Sequence, residues 1–227
     1  VPTRRSSDLG LVALLSFRQR FGAKSSSFPT GKVLYAVSIF GLTEISLEIL
    51  IVFAFQLFFG YVYYKIGLLL ALFMVGLAAG SFTLSYYPRR RSSQIRALVT
   101  FQAILACFCL ALAMVIVYFH NRPTLNLHHF LYRETFSFMS FAAGFIGGTH
   151  FPLANRLLLT EQTRVGRVAG LIYAVDLLGS FLGCLLVGLV FIPSVGMVQT
   201  LMILALVNIS AILPFIISWP PPAVLER

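Results

Sequence analysis

Four side chains could do chemistry in a setting where charge is costly. Glu44, Glu48 and Gln56 lie inside the apolar run from Val33 to Phe59, and Asp176 lies inside a later one, from Val168 to Ile192. A carboxylate placed in hydrocarbon costs about 2.5 kcal/mol or more on insertion, so such acids are expected to face a bundle interior. Glu44 and Glu48 are one turn apart and share a helix face, where their repulsion predicts that at least one is protonated or ion-paired. A cation held between Glu48 and Asp176 would satisfy both acids, as would a proton. The candidate cation or substrate site is therefore Glu48, Gln56 and Asp176. Glu44 sits nearer the end of its run and is expected to reach towards interfacial water in a structural role.

These acids must be positioned by helices in a membrane. The chain has 227 residues, 59% hydrophobic and only 11% charged, with a mean hydropathy of +0.91. A water-soluble domain carries roughly 25% charged residues. The net charge of +10 does not imply nucleic acid, because the basic residues fill gaps between apolar runs and form no stripe interleaved with stacking aromatics. Cys107, Cys109 and Cys184 all fall within apolar runs without metal-type pairing, and are read as packing residues.

Residues 1–9, VPTRRSSDL, are polar and basic without an initiator Met, and resemble a translated sequencing-adaptor tail. They are expected to be non-native, leaving 10–32 as a truncated segment and basic linker. Six spans are then expected in a transmembrane domain over 33–218: Val33 to Phe59, Ile66 to Tyr86, Ala97 to Phe119, Phe136 to Leu159, Val168 to Ile192 and Val195 to Ser218, each long enough to cross a bilayer. Residues 219–227 form a short tail. Spans one and two are expected to form a hairpin around an aromatic turn, and spans five and six another around a tight Pro-Ser turn at Ile192 to Val195. Pro214 is expected to bend span six, and Trp219 to anchor at the interface. All Lys and Arg residues except Lys65, Arg122 and Arg133 fall on one side of this topology, which places both termini in the cytoplasm. His128 and His129, in a loop on the other side, are read as solvated.

Small residues recur at intervals of four where helices pack closely in lipid. Gly76 and Gly80 do so in span two, Ser140, Gly144 and Gly148 in span four, and Gly179 and Gly183 in span five. Asp176, Gly179, Ser180 and Gly183 share one face, so the acid should point inward. A neighbour such as Arg167, Tyr173 or a backbone amide could hold it structurally, and that reading stands beside the functional one. His150 and Pro152 are expected to break span four, because Pro lacks an amide donor. The freed carbonyls near Gly147 and Gly148 would then line a cavity or merely mark a kink. Arg156 is expected to snorkel to the surface.

Several stretches carry a likeness. GLTEISLEILIVFAFQ, GYVYYKIGLLLALFMVGLAAGS, GGTHFPLANRL and VGRVAGLIYAVDLLGSFLGCLLVGLVFIPSVG resemble the membrane region of bacterial spermidine synthase-like fusion proteins, over roughly Gly41 to Asn208. The best-matching positions are Leu47-Glu48-Ile49 with Gln56, Gly60-Tyr61-Val62-Tyr63, Phe151-Pro152-Leu153-Ala154, and Gly166-Arg167 with Tyr173, Asp176, Leu177, Leu178 and Gly179. Glu44 matches nothing in that pattern. The resemblance implies a membrane domain that anchors an aminopropyltransferase and binds or moves a polyamine or related cation, in a bacterial inner membrane. The catalytic partner would take decarboxylated S-adenosylmethionine and a diamine. No Gly-rich strand-to-helix turn is present to bind such a substrate, so that domain is expected upstream or on another polypeptide. The six spans also resemble half of a major facilitator transporter, although YYPRRRSSQIR lacks the usual acid and glycine of that family's loop. A half of this kind implies pairing with a second half or with itself. A passive anchor is the third alternative.

Overall fold

The computed structural model describes residues 30–60, 63–86, 91–121, 129–159 and 165–217. Six long helices account for nearly all of them: α1 Thr30–Phe59, α2 Tyr63–Ser85, α3 Arg91–His120, α4 His129–Leu158, α5 Val165–Leu185 and α6 Met197–Ile217. There is no strand among the described residues. Five helices are long and apolar enough to cross a membrane: α1, α2, α3, α6 and the continuous stretch Val165–Val195 that begins with α5. The exception is α4, whose sequence carries Arg133, Glu134, His150 and Arg156. It is placed centrally, packing on α1, α2 and α3 and touching α5, with Ser140, Thr149 and His150 buried.

The helices alternate in direction, and the contacts show it. Gly144 lies on Phe73 and Gly148 on Leu77, so α2 and α4 run the same way. Gly179 lies on Ser38 and Gly183 on Leu42, so α1 and α5 also run together. Glu48 approaches Ser140 while Glu44 lies at Gly147, which makes α1 and α4 antiparallel. The Lys32 Nζ donates to the Pro214 carbonyl at 3.1 Å and Tyr35 Oη lies 3.0 Å from Ser210 Oγ, so α6 ends where α1 begins. At the opposite end Phe55, Phe58, Phe119 and Phe136 form an aromatic knot with centroids 5.8–6.2 Å apart, which sets α3 parallel to α1.

Pairing does not follow the chain order, which corrects both expected hairpins. The tightest partners are α2 with α4, α1 with α5, and α3 with α6; α1 and α2 scarcely touch, and α5 makes no contact with α6 beyond their connection. Instead of a Pro-Ser turn, Ile192–Val195 is one more turn of helix after a π-helical stretch, Leu186–Phe191. The chain reverses at Gly196, whose φ of 87° is open to glycine and strained for other residues. Nor does Pro152 break α4, which continues through it to Leu158.

The pairing pattern is internally repeated. One constant offset along the chain relates Gly76 to Gly179, Gly80 to Gly183, Gly41 to Gly144, Ser38 to Phe141, Leu42 to Phe145 and Phe73 to Asp176. Each member makes its partner's contact. A Cβ at Gly76 would strike the Phe141 carbonyl, and one at Gly179 the Ser38 carbonyl. Gly80 meets the Phe145 carbonyl as Gly183 meets that of Leu42, and Gly144 meets that of Phe73 as Gly41 meets that of Asp176. Since α1 opposes α4 and α2 opposes α5 in direction, the pair α1 and α2 and the pair α4 and α5 are related as inverted copies at these seams. Inverted repeats of this kind build many transporter folds, with sites at the repeat interface.

Candidate functional site

A cavity of about 680 Å³ opens between α2 and α5 and is floored by α1 and α4. It exists because α2 and α5 each pack on a floor helix and do not contact one another. Both Glu44 and Asp176 line it, with His150 and Tyr173, among apolar residues that include Phe40 and Phe73.

Each acid is placed by a glycine. The Asp176 carboxyl occupies the space above Gly41, where a Cβ would come within 2.5 Å of Oδ1. Beside it the Ser180 hydroxyl donates to the Gly41 carbonyl at 3.2 Å. Glu44 reaches across from α1 to α4, its carboxyl filling the room that any side chain at Gly147 would need. Both acids are half-buried and line the same cavity from α1 and α5. No salt bridge from a described Lys or Arg neutralises either. Arg167 and Tyr173, suggested by the sequence as partners of Asp176, make no hydrogen bond to it. Instead Tyr173 packs edge-on against Phe151, centroids 6.3 Å apart.

His150 completes the lining from α4. Its ring stacks on Phe40 with centroids 3.8 Å apart and an interplanar angle of 12°. The residue is only 2% exposed, and its Nε2 has no hydrogen-bond partner among the described residues. A buried polar atom without a partner costs about 1–3 kcal/mol, which a ligand in the cavity could recover. Pro152 contributes indirectly: lacking an amide, it leaves the carbonyl of Gly148, a lining residue, without the usual helical donor.

The expected triad of Glu48, Gln56 and Asp176 is not brought together. Glu48 is 3% exposed and points between α2 and α4, outside the cavity lining. The Ser140 hydroxyl lies 2.7 Å from the Leu69 carbonyl oxygen and 3.1 and 3.3 Å from the two Glu48 carboxyl oxygens, tying three helices at one point. Gln56 is two turns further along α1, half-buried and away from the cavity. Asp176 is joined by Glu44, the acid expected to be structural. The sequence reading gave Glu44 a structural role and took His150 only as a helix break. The signal for Glu44 was the repeat itself, because the offset that pairs Gly41 with Gly144 pairs Glu44 with Gly147.

Arg156 donates to the Ser85 carbonyl at 3.1 Å, closing the end of α2. Cys109 is buried, whereas Cys107 and Cys184 lie on exposed faces. No cluster of three or more metal-ligating side chains occurs among the described residues. His128, Trp219 and the segment 1–29 lie outside the described residues.

Two carboxylates, an unpaired imidazole nitrogen and aromatic walls can hold a cation that has an apolar body. The cavity is far larger than a bare metal ion requires. Comparison with protein-family models, with curated proteins and with solved structures finds no match to this chain.

Proposed function

We propose that this chain is a membrane-embedded bundle that binds an organic cation of the polyamine class between Glu44 and Asp176. The observation that carries this reading is the placement of both acids in one cavity with no side-chain cation from a described Lys or Arg to neutralise them. Intramembrane acids of this kind mark ligand or ion pathways, and aromatic rings add attraction for ammonium groups. The motif series seen in the sequence supports the further reading that the bundle is the membrane domain of a spermidine synthase-like fusion, with aminopropyl transfer assigned to a domain outside the described helices. The distribution of Lys and Arg supports cytoplasmic termini.

The inverted repeat favours a transporter half over a passive anchor. Within their apolar windows α2 and α5 are only 22% and 17% buried, and they flank the cavity, so a second six-helix unit would cover this face. Spermidine binding to the full chain in nanodiscs tests the proposal. The wild-type protein is expected to bind saturably, and the double variant Glu44→Gln, Asp176→Asn to lose binding while remaining inserted. Equal binding by both would remove the carboxylates from the function and return the bundle to an anchoring role.

A further inference from the structure

The cavity is asymmetric within a repeat that is not. Applying the repeat offset to its lining sends the deep part onto itself: Glu44 exchanges with Gly147, Ile45 with Gly148, Phe73 with Asp176, Met74 with Leu177 and Leu77 with Ser180, all lining residues. The mouth does not map onto itself. Ala78, Ser81 and Tyr173 line the cavity towards the end of the bundle where α1 begins, and their counterparts Phe181, Cys184 and Leu70 sit towards the opposite end. The floor residues Val37 and Phe151 map to Ser140 and Glu48, which are the two side chains hydrogen-bonded across α1 and α4.

From this we infer that the cavity has a second, repeat-related half at the opposite end, lined by Leu70, Phe181 and Cys184, which are exposed on their helices, and that the hydrogen-bonded group of Glu48, Ser140 and the Leu69 carbonyl closes it off from the shared centre. The chemistry suits a latch. In the open half the corresponding residues are Phe151, Val37 and Ile172, none of which has a polar side chain, so no such group bridges α1 and α4 at the repeat-related position; the bond from Arg156 to the Ser85 carbonyl lies further out and joins α4 to α2. At the closed end one hydroxyl lies within hydrogen-bond distance of oxygens on two different helices, the Glu48 carboxyl on α1 and the Leu69 carbonyl on α2. Removing that hydroxyl takes away the polar tie between α1 and the closely packed α2·α4 pair without changing the shared centre at Glu44 and Asp176. The inference builds on the proposed cation site for its purpose, since a ligand held there would meet water from either end in turn.

The test is thiol labelling of the full chain in membrane vesicles of both orientations with a membrane-impermeant maleimide, which reacts with hydrated thiolates and poorly with thiols in lipid. With Cys107→Ala and Cys109→Ala, native Cys184 reports the closed half; adding Cys184→Ala and Ser81→Cys reports the open half. Phe181→Cys and Ala78→Cys form a second pair. Ser81→Cys and Ala78→Cys are expected to label from one face, and Cys184 and Phe181→Cys from the other face at a slower rate. Ser140→Ala should raise labelling at Cys184 severalfold and lower it at Ser81→Cys. Labelling of both pairs from the same face, or no labelling of Cys184 and Phe181→Cys with or without Ser140→Ala, would overturn the inference. The face assignment requires no change at Ser140 and decides the matter alone if that variant fails to accumulate. Loss of spermidine binding with this labelling pattern intact would refute the cation reading and leave the second half standing.

Discussion

At the α2·α4 seam Gly144 faces the carbonyl of Phe73, and at the α1·α5 seam Gly41 faces the carbonyl of Asp176. The backbones approach in the same way, at positions related by one offset, but the side chains that project beyond the seam differ in kind. In the first, Phe73 is buried in the apolar core. In the second, Asp176 projects into the cavity, and Glu44 stands opposite Gly147, its own counterpart. Packing in this molecule is symmetric while charge is not, so the scaffold and the site can be damaged separately.

The largest effect is expected where backbone meets backbone. Gly76→Leu or Gly144→Leu inserts a side chain against a carbonyl. Overpacking costs typically about 1–3 kcal/mol and more where backbone must move. Both variants should lose the folded protein, seen as collapse of the monodisperse peak in detergent gel filtration. Gly179→Leu should do the same at the other seam. By contrast Gly170→Leu and Gly188→Leu, where nothing lies within 4 Å of an added Cβ, should elute as wild type. If the two groups behave alike, the seams are not what holds the bundle.

Next come the charges. Glu44→Gln or Asp176→Asn should each weaken spermidine binding by at least tenfold, corresponding to about 1.4 kcal/mol, with thermal stability unchanged or raised because an uncompensated buried charge costs free energy. The symmetric alternative, Phe73→Asp, supplies an acid at the repeat-related position, which lines the same cavity but is packed into the apolar core, and should not restore binding to Asp176→Asn, because an acid there would displace core packing and lie on the wrong helix to face Glu44. Restoration would mean that the asymmetry is incidental.

A smaller effect is expected at His150. Leu fills similar space and is what the repeat places at the equivalent position, Leu47. His150→Leu should therefore keep or increase stability by removing an unpartnered Nε2, while weakening spermidine binding a few-fold. Thermal shift and binding isotherms check the two halves of this expectation; a fall in stability would make the histidine structural. The smallest effect belongs to Lys65 and Glu134, 3.9 Å apart with the glutamate 45% exposed. The lysine is nearly buried, its side chain 11% exposed, but the pair is open to water at the glutamate and stretched to the limit of contact, so it contributes about 1 kcal/mol or less and Glu134→Gln should lower the melting temperature only slightly.

Much of the scaffold was legible from spacing alone. Apolar run lengths located the helices, and the four-residue recurrence of Gly76, Gly80, Gly144, Gly148, Gly179 and Gly183 marked close contacts that the structure contains. What spacing cannot give is the partner across a seam, since a glycine stripe fits any backbone that approaches. The two expected hairpins therefore went to sequence neighbours, whereas the close partners lie three or more spans apart for α1 and α3 and two apart for α2. The site was half legible. Asp176 was placed inward by the stripe it shares with Gly179 and Gly183, but depth along a helix does not fix azimuth relative to a cavity. Glu48, deeper than Glu44, turned out to face Ser140, and Glu44 took the place beside Asp176.

Glu44 and Glu48 thus exchange the places expected of them. Spermidine binding to the nanodisc-embedded chain, compared between Glu44→Gln and Glu48→Gln, sets the geometry against the sequence expectation in one measurement. Binding lost in Glu44→Gln and retained in Glu48→Gln is the predicted result, because only Glu44 faces the cavity with Asp176. Binding retained in Glu44→Gln and lost in Glu48→Gln would contradict it, and would move the site to the hydrogen-bonded group at Ser140.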